Sequence, residues 1–414
     1  MESNVQAVIA SRFPTSKSTS GPSNVATKAN PVEPAKRINQ IDILRGLALF
    51  GVLSINLLTE FRVSIFAQFV ANQSHAGGAD RLVETWVPLL LESKSFILFS
   101  FLFGVGLMIQ YERASKRGPA LPFLIRRLLV LLGIGLVHLT LIWNGDILTE
   151  YAVAGFIALP FILGSTFRLA VGATGFFILY AAMPFLHLPI PFPTEDWIVG
   201  HIKDAAAVLG HGNMREVVSF EVRELPYLLP LHLFVLPRTL GLFLLGALTW
   251  KSGLLAHPEK HHRSIAGVAA IGLIVGGALT WLGQSGWDAW LPFSGQVVAS
   301  LDAFAPVILA AGYGAGIISI ASRPWGARLL GWVAPLGRTA FTNYLMQSII
   351  LSALFYGWGL HLYGMGAFAA FGIGCTLYIA QIVVSATWLA HFRFGPVEWL
   401  WRTLMYGERQ LMKR

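Results

Sequence analysis

Arg45 and Asn56 stand eleven residues apart in the first long apolar stretch, and Arg127 and His138 stand eleven apart in the third. Eleven residues make about three helical turns, so each pair shares a face over roughly 16 Å. Polar side chains inside a membrane segment are costly and need a partner or a purpose. An arginine offers charge-assisted hydrogen bonds to phosphate or carboxylate. An imidazole offers a base, and an amide N–H offers a donor to a developing oxyanion.

Asp42 lies three residues before Arg45, so the two can pair on one helical face. That pair could equally be plain packing between helices, with Asn56 as an interhelical hydrogen bonder. Around His138 the chain reads His138-Leu139-Thr140-Leu141-Ile142-Trp143-Asn144-Gly145-Asp146-Ile147-Leu148-Thr149-Glu150. Asn144-Gly145 signals a turn, and Asp146 is placed to cap the following helix. Glu150 is then expected near His138, where a carboxylate would orient the imidazole; a structural hydrogen bond is the plainer role. Thr339, Asn343 and Gln347 recur every four residues after Arg338, forming a stripe that lines either a helix seam or a polar passage. Arg238 sits mid-segment and requires an anion: Asp42, Asp302 or a ligand phosphate. His261-His262 belongs to a solvated basic loop, and no metal-binding, P-loop or Gly-x-Ser-x-Gly pattern is present.

These residues are set in a chain that is 55% hydrophobic and 12% charged, with mean hydropathy +0.63. Soluble domains carry about 25% charged residues, so the class is an all-α polytopic membrane protein. The net charge of +9 is dispersed over short loops, which argues against a nucleic-acid partner. The single cysteine, Cys375, cannot form an intrachain disulfide.

About ten spans are expected, near 41–59, 94–112, 123–143, 147–164, 168–186, 228–250, 264–283, 297–320, 339–358 and 367–390. Lys36, Arg37, Arg113, Lys116, Arg117, Arg168, Lys251, Lys260, Arg263, Arg323, Arg328 and Arg393 all fall on one side of that arrangement. The positive-inside rule makes that side cytoplasmic, together with both termini. Residues 1–37, rich in Ser, Pro and Lys without an apolar run, are expected to be a disordered cytoplasmic tail. Residues 38–393 form the bundle, and 394–414 an interfacial helix. The loop 60–93 is expected to hold an external amphipathic helix. The loop 187–227 is expected to pass from Pro189, Pro191 and Pro193 into a helical stretch with Glu216, Glu221, Arg223 and Glu224. Gly272 and Gly276, with Gly312 and Gly316, read as helix-packing pairs.

Four blocks carry a family resemblance: Asp42-Ile43-Leu44-Arg45-Gly46-Leu47-Ala48, Phe99-Ser100-Phe101-Leu102-Phe103-Gly104, Trp143-Asn144-Gly145-Asp146-Ile147-Leu148 and Gly337-Arg338-Thr339-Ala340-Phe341-Thr342-Asn343-Tyr344. Over roughly residues 38–410 the chain resembles the bacterial YeiB-type membrane proteins, a family defined by a domain of unknown function. Its first block is also similar to transmembrane acyltransferases of the acyltransferase-three and heparan-α-glucosaminide N-acetyltransferase kinds. In the former group an Arg is followed eleven residues later by a catalytic His, a position held here by Asn56. In the latter that position is Asn, with the His eleven residues further on, where this chain has Ala67. The resemblance thus implies an Arg and an Asn without a base in the first helix. His138, or less readily His75, would have to supply it.

The expected function is a membrane acyltransferase with acyl-CoA as co-substrate and no metal. Asp42, Arg45, Arg127, Arg238, Arg338, Asn343 and Gln347 would hold the cofactor. His138, Asn56 and Glu150 would carry the chemistry toward an envelope acceptor at the outer face of a bacterial inner membrane. The alternatives are a transporter or flippase for an anionic or lipid-linked solute, and a non-catalytic lipid-binding envelope protein. Membrane lipids, and a second copy of the chain in a homodimer, complete the expected partners.

Overall fold

The computed structural model describes residues 39–70, 77–186, 192–284 and 295–414. The tail 1–37, His75, Pro189 and Pro191 lie outside them. The described residues form helices α1 (Asn39–Asn56), α2 (Gly78–Leu91), α3 (Lys94–Ser115), α4 (Ala120–Leu141), α5 (Leu148–Ile162), α6 (Thr166–Ala182), α7 (Glu195–His211) and α8 (Met214–Lys251). They continue as α9 (His262–Gln284), α10 (Gly295–Ala321), α11 (Pro324–Leu330), α12 (Ala334–Arg338), α13 (Ala340–Phe355), α14 (Ala367–His391) and α15 (Pro396–Tyr406). Among the described residues, eight stretches are long and apolar enough to cross a membrane, and α5 and α13 are shorter apolar helices. The protein is an all-α, multi-pass membrane protein.

α1 is the hub. It continues without a break into a π-helical turn, Leu57–Phe61, and 83% of its most apolar window is buried. Glycines set how closely its neighbours approach. A Cβ on Gly337 would collide with the Asp42 carbonyl oxygen, and one on Gly46 would lie 2.6 Å from the Val333 carbonyl oxygen. The α12 backbone therefore rests directly on α1, which brings the Arg45-Gly46 and Gly337-Arg338 blocks to one place. Gly104 and Gly246 do the same for the α3–α8 crossing, against the Phe243 and Phe101 carbonyls. Gly272 and Gly312 meet backbone to backbone between α9 and α10, the packing role expected of them.

Two long loops of the sequence reading take on definite structure. The amphipathic segment in 60–93 is α2, and it is packed into the bundle. α2 packs on α1 and α14, and α3 begins where Ser95 meets Gly51, in the second half of α1. α2 and α3 together make one broken 38-residue stretch, Gly78–Ser115. The break is at Ser93, whose φ is 59°. The reason lies in both faces of α2: Val83 and Val87 are buried against the bundle, while Leu82, Trp86 and Leu90 form an exposed apolar stripe. Asp80 ties its start to α14 by accepting from the Phe368 N–H.

The segment 187–227 supplies α7 and the first turns of α8. At 38 residues α8 is about 57 Å long, well beyond a hydrocarbon core of about 30 Å. Asn213 and Glu216 form a capping box at its start. α7 and this first part of α8 roof the bundle at the end opposite Asp42. Leu209 accepts a hydrogen bond there from the Gly357 N–H (2.7 Å).

Candidate functional site

A cavity of about 310 Å³ opens at the end where α1 and α4 begin and α3 and α8 finish. Its mouth carries Asp42, Arg45, Arg113, Arg127, Arg338 and Arg402, with Trp250 and Trp401. Below them the walls turn apolar: Leu49, Val52, Leu102, Phe103, Leu131 and Leu148. Ile147, Tyr151 and Tyr344 close the deep end. From Asp42 to Val52 is ten residues of α1, about 15 Å. A cationic rim above an apolar shaft suits an amphiphile with an anionic head.

Arg127 is the sharpest feature of the rim. It is 6% exposed, and its guanidinium lies between the Phe103 and Trp401 rings, 5.2 and 4.8 Å from their centroids. Its NH1 donor has no hydrogen-bond partner among the described residues. A buried unmet donor costs about 1–3 kcal/mol, a cost that an anion hydrogen-bonded at this position would offset. Gly106 leaves room beside it: a Cβ there would only graze NH2, at 3.9 Å. Arg45 pairs with Asp42 at 3.3 Å, as its i, i+3 spacing requires, and also donates to the Gly337 carbonyl.

α15 brings Trp401 and Arg402 to the rim, and its docking rests on Glu398. That carboxylate accepts from the Phe341 and Thr342 N–H groups (2.8 and 3.2 Å) and from the Thr342 hydroxyl. It thereby caps α13, whose first N–H groups have no helical partner. Burial pushes the Glu398 carboxyl above the usual range, and these hydrogen bonds pull against that rise. The indole N–H of Trp401 donates to the Arg127 carbonyl.

His138 does not line the cavity. Its ring lies 5.4 Å from that of Tyr344, which stands between the two. The expected pairing of His138 with Glu150 is corrected: the partner is Asp146, whose Oδ1 lies 2.9 Å from Nδ1, both side chains being essentially inaccessible. Asp146 also accepts from the Leu148 and Thr149 N–H groups at the start of α5. One carboxylate thus caps the helix and holds the imidazole, its Oδ1 serving both Leu148 and His138 and its Oδ2 serving Thr149. An ionised carboxylate only accepts, so with Asp146 ionised and the ring neutral the proton belongs on Nδ1 and Nε2 is the acceptor. Nε2 has no partner among the described residues. Glu150 faces the other side of α5, where it takes hydrogen bonds from His232 (3.1 Å) and Thr239 (2.8 Å) of α8.

The remaining expected site residues are not brought to the cavity. Asn56 is buried, with its Oδ1 lacking a partner, but it lies beyond the cavity floor. Arg238 sits over the Tyr180 ring at 5.8 Å, on the α6 side of α8. Asn343 and Gln347 belong to a seam with α14. Asn343 donates to Ser385 Oγ and the Thr339 carbonyl, and Gln347 donates to Gln381, each at 2.8–2.9 Å. The stripe Thr339–Asn343–Gln347 is therefore a helix interface, because α14 offers Ser385 and Gln381 at matching heights.

The Trp143–Asp146 turn is not at a surface either. Trp143 stacks on Phe61 at 4.7 Å. Above it, Glu224 accepts from Asn144 Nδ2 and from His201 Nε2, both at 2.6 Å. Tyr356 donates to Glu221 at 3.0 Å. The helical stretch expected at Glu221 and Glu224 is present in α8, but nothing in the sequence showed that the two carboxylates roof the His138 turn. Nor did the sequence place Arg113, Trp401 and Arg402 at the rim.

The matches to known proteins cover nearly the whole bundle. Residues 249–408 match the family described as "Protein of unknown function (DUF418)". The chain is 32% identical over 393 residues to the uncharacterized protein YxaH of Bacillus subtilis, covering 90% of this chain and 94% of that one. It is 28% identical over 383 residues to the uncharacterized protein YeiB of Escherichia coli, covering 88% and 95%. The region of similarity includes the rim arginines, the shaft and the His138–Asp146 turn, and the chain belongs to the DUF418 family of YxaH- and YeiB-type membrane proteins.

Proposed function

We propose that this protein is a membrane-embedded acyltransferase that takes an activated acyl group from acyl-CoA on the cytoplasmic side and passes it to an acceptor nearer the outer face. In this reading the basic loops face the cytoplasm of a bacterial inner membrane, both termini lie inside, and the cavity opens inward. The observation that carries it is a single shaft with a cationic rim at one end and a carboxylate-held imidazole just behind the other. The CoA phosphates would lie on Arg127 and its neighbours Arg45, Arg338, Arg113 and Arg402. The acyl chain would line the apolar shaft. His138 Nε2 would remove the proton from an acceptor hydroxyl or amine as that oxygen or nitrogen attacks the thioester carbonyl. The C–S bond then breaks and the CoA thiolate leaves. Asp146 stabilises the imidazolium that forms. Tyr344 must turn aside for the acyl carbonyl to reach Nε2, which makes it the gate between shaft and base. Asn56, Glu150 and Arg238 have no part in this mechanism.

Anion transport is the second reading, and the broken α2–α3 stretch favours it. Lys94, 6% exposed and beside the break, donates to the Leu89 carbonyl, and discontinuous spans form substrate sites in transporters. The two readings separate on purified full-length protein in liposomes. Acyl-CoA-dependent transfer to added lipid or glycan acceptors supports the first. Solute flux without acyl-CoA, and no transfer, would replace it with the second.

A further inference from the structure

The core of the bundle holds a chain of titratable groups that the cavity does not use. The Trp143–Asp146 turn joins two histidine–carboxylate pairs. Through Asp146 it holds His138 in the core, and through Asn144 it holds Glu224, the partner of His201. His201 is itself stacked between Trp197 and Phe220, at 4.3 and 5.0 Å. Between the two pairs stands Gly145, where a Cβ would collide with Glu60 Oε2. Glycine at this turn thus lets the Glu60 carboxylate settle between Asp146 and Asn144.

Glu60 accepts no hydrogen bond among the described residues and is only partly buried. Its surroundings are largely anionic or neutral. Glu92, itself beside Lys94, approaches from the α2–α3 break. Glu224 approaches from α8, with Glu221 behind it on Tyr356. Tyr344 of α13 and Asp146 complete the set. The adjacent Arg62 is engaged by Glu84 at 2.8 Å. A carboxylate without a donor, among other carboxylates, is suited to hold a proton and pass it on.

We infer that Glu60 relays protons between the His138–Asp146 pair and the His201–Glu224 pair, so that the proton gained by His138 leaves toward the outer side. The inference rests on the reading of His138 as the base. When Nε2 takes the acceptor's proton an N–H bond forms there, and ionised Asp146 holds the resulting imidazolium. That N–H bond then breaks: the proton passes through water to Glu60 and from Glu60 to Glu224, beside His201, where it meets the outer solution, and the imidazole returns to its Nδ1–H form. The opposite route is barred by charge, because a hydronium ion would have to cross the arginine rim.

Two measurements on the full chain test the relay. The first is the infrared difference spectrum between mildly acidic and mildly alkaline pH. A protonated-carboxyl band is expected that vanishes in Glu60→Gln and shifts in Glu224→Gln. A spectrum unchanged in both variants would overturn the relay, whether or not acyl transfer is found. The second is acyl-CoA-dependent transfer in liposomes with the cytoplasmic-side pH held fixed. Lowering the outer pH should slow the wild type several-fold and leave the residual rate of Glu60→Gln unaffected. A wild-type rate that does not respond to the outer pH would also overturn it. An intact carboxyl band with no transfer at all counts against the acyltransferase reading and leaves the relay standing.

Discussion

At the scale of single residues, the proposed chemistry rests on His138 and Asp146. Asp146→Asn replaces an acceptor that fixes the imidazole tautomer with an amide that can present N–H to Nδ1. Turnover should then fall at least about tenfold while Glu150→Gln leaves it near wild type, since general-base contributions run to about 10²–10⁴-fold. Comparable losses in both variants would mean that His138 is not the group being oriented. Parallel thermal unfolding separates the chemical effect from any change in the α5 cap, which asparagine largely keeps. His138, Arg127, Arg45 and Asp42 were legible in the sequence because ionisable residues in apolar stretches are conspicuous. The partner of His138 was not. Asp146 had a sufficient role as a cap, and nothing in one dimension shows that its Oδ1 also reaches back to the helix before the turn. Glu150 was favoured by lying one helical turn into α5, but its face points to His232 and Thr239.

Between elements, the contacts that build the rim are backbone contacts. Gly337→Ala would force the α12 turn away from the Asp42 carbonyl. Overpacking of this kind costs about 1–3 kcal/mol, so the unfolding midpoint should drop. Anion binding should weaken as Arg338 and Arg45 separate. Gly267→Ala, on α9 with open space around its Cβ position, should leave both unchanged. α15 gives a pH-dependent test. The folded-state pKa of Glu398 is raised, so its contribution to stability is present at low pH and is lost as pH rises through that range. The wild-type unfolding midpoint should therefore fall with rising pH, and Glu398→Gln should flatten that slope. An identical slope in the variant would remove Glu398 from the account. α15 itself was legible as an amphipathic helix. Its inward face was not, because Trp401 and Arg402 look like ordinary interfacial anchors until α4 and α13 are packed against them. The broken α2–α3 stretch was missed because Glu92-Ser93-Lys94 reads as the end of a loop.

For the whole molecule, the all-α multi-pass architecture followed from apolar runs longer than a bilayer is thick, and those runs reappear as helices. The proposed orientation rests on the alternation of basic loops and has a direct check. Cys375→Ser removes the single cysteine of the chain, and Gly200→Cys places a thiol on the exposed face of α7. A membrane-impermeant maleimide should label it in intact cells. Labelling only after permeabilisation would turn the cavity mouth, and the entire mechanism, to the other side. The central claim joins rim, shaft and base in one reaction, and steady-state acyl transfer by the purified full-length protein at varied acyl-CoA tests it. Arg127→Gln loses charge-assisted bonds of about 1.5–3 kcal/mol, so it should raise the acyl-CoA concentration for half-maximal rate by about 10–100-fold with turnover largely kept. His138→Ala should lower turnover by about 10²–10⁴-fold with that concentration largely kept. A wild-type protein that neither binds nor consumes acyl-CoA, or a His138→Ala variant with undiminished turnover, would contradict the account.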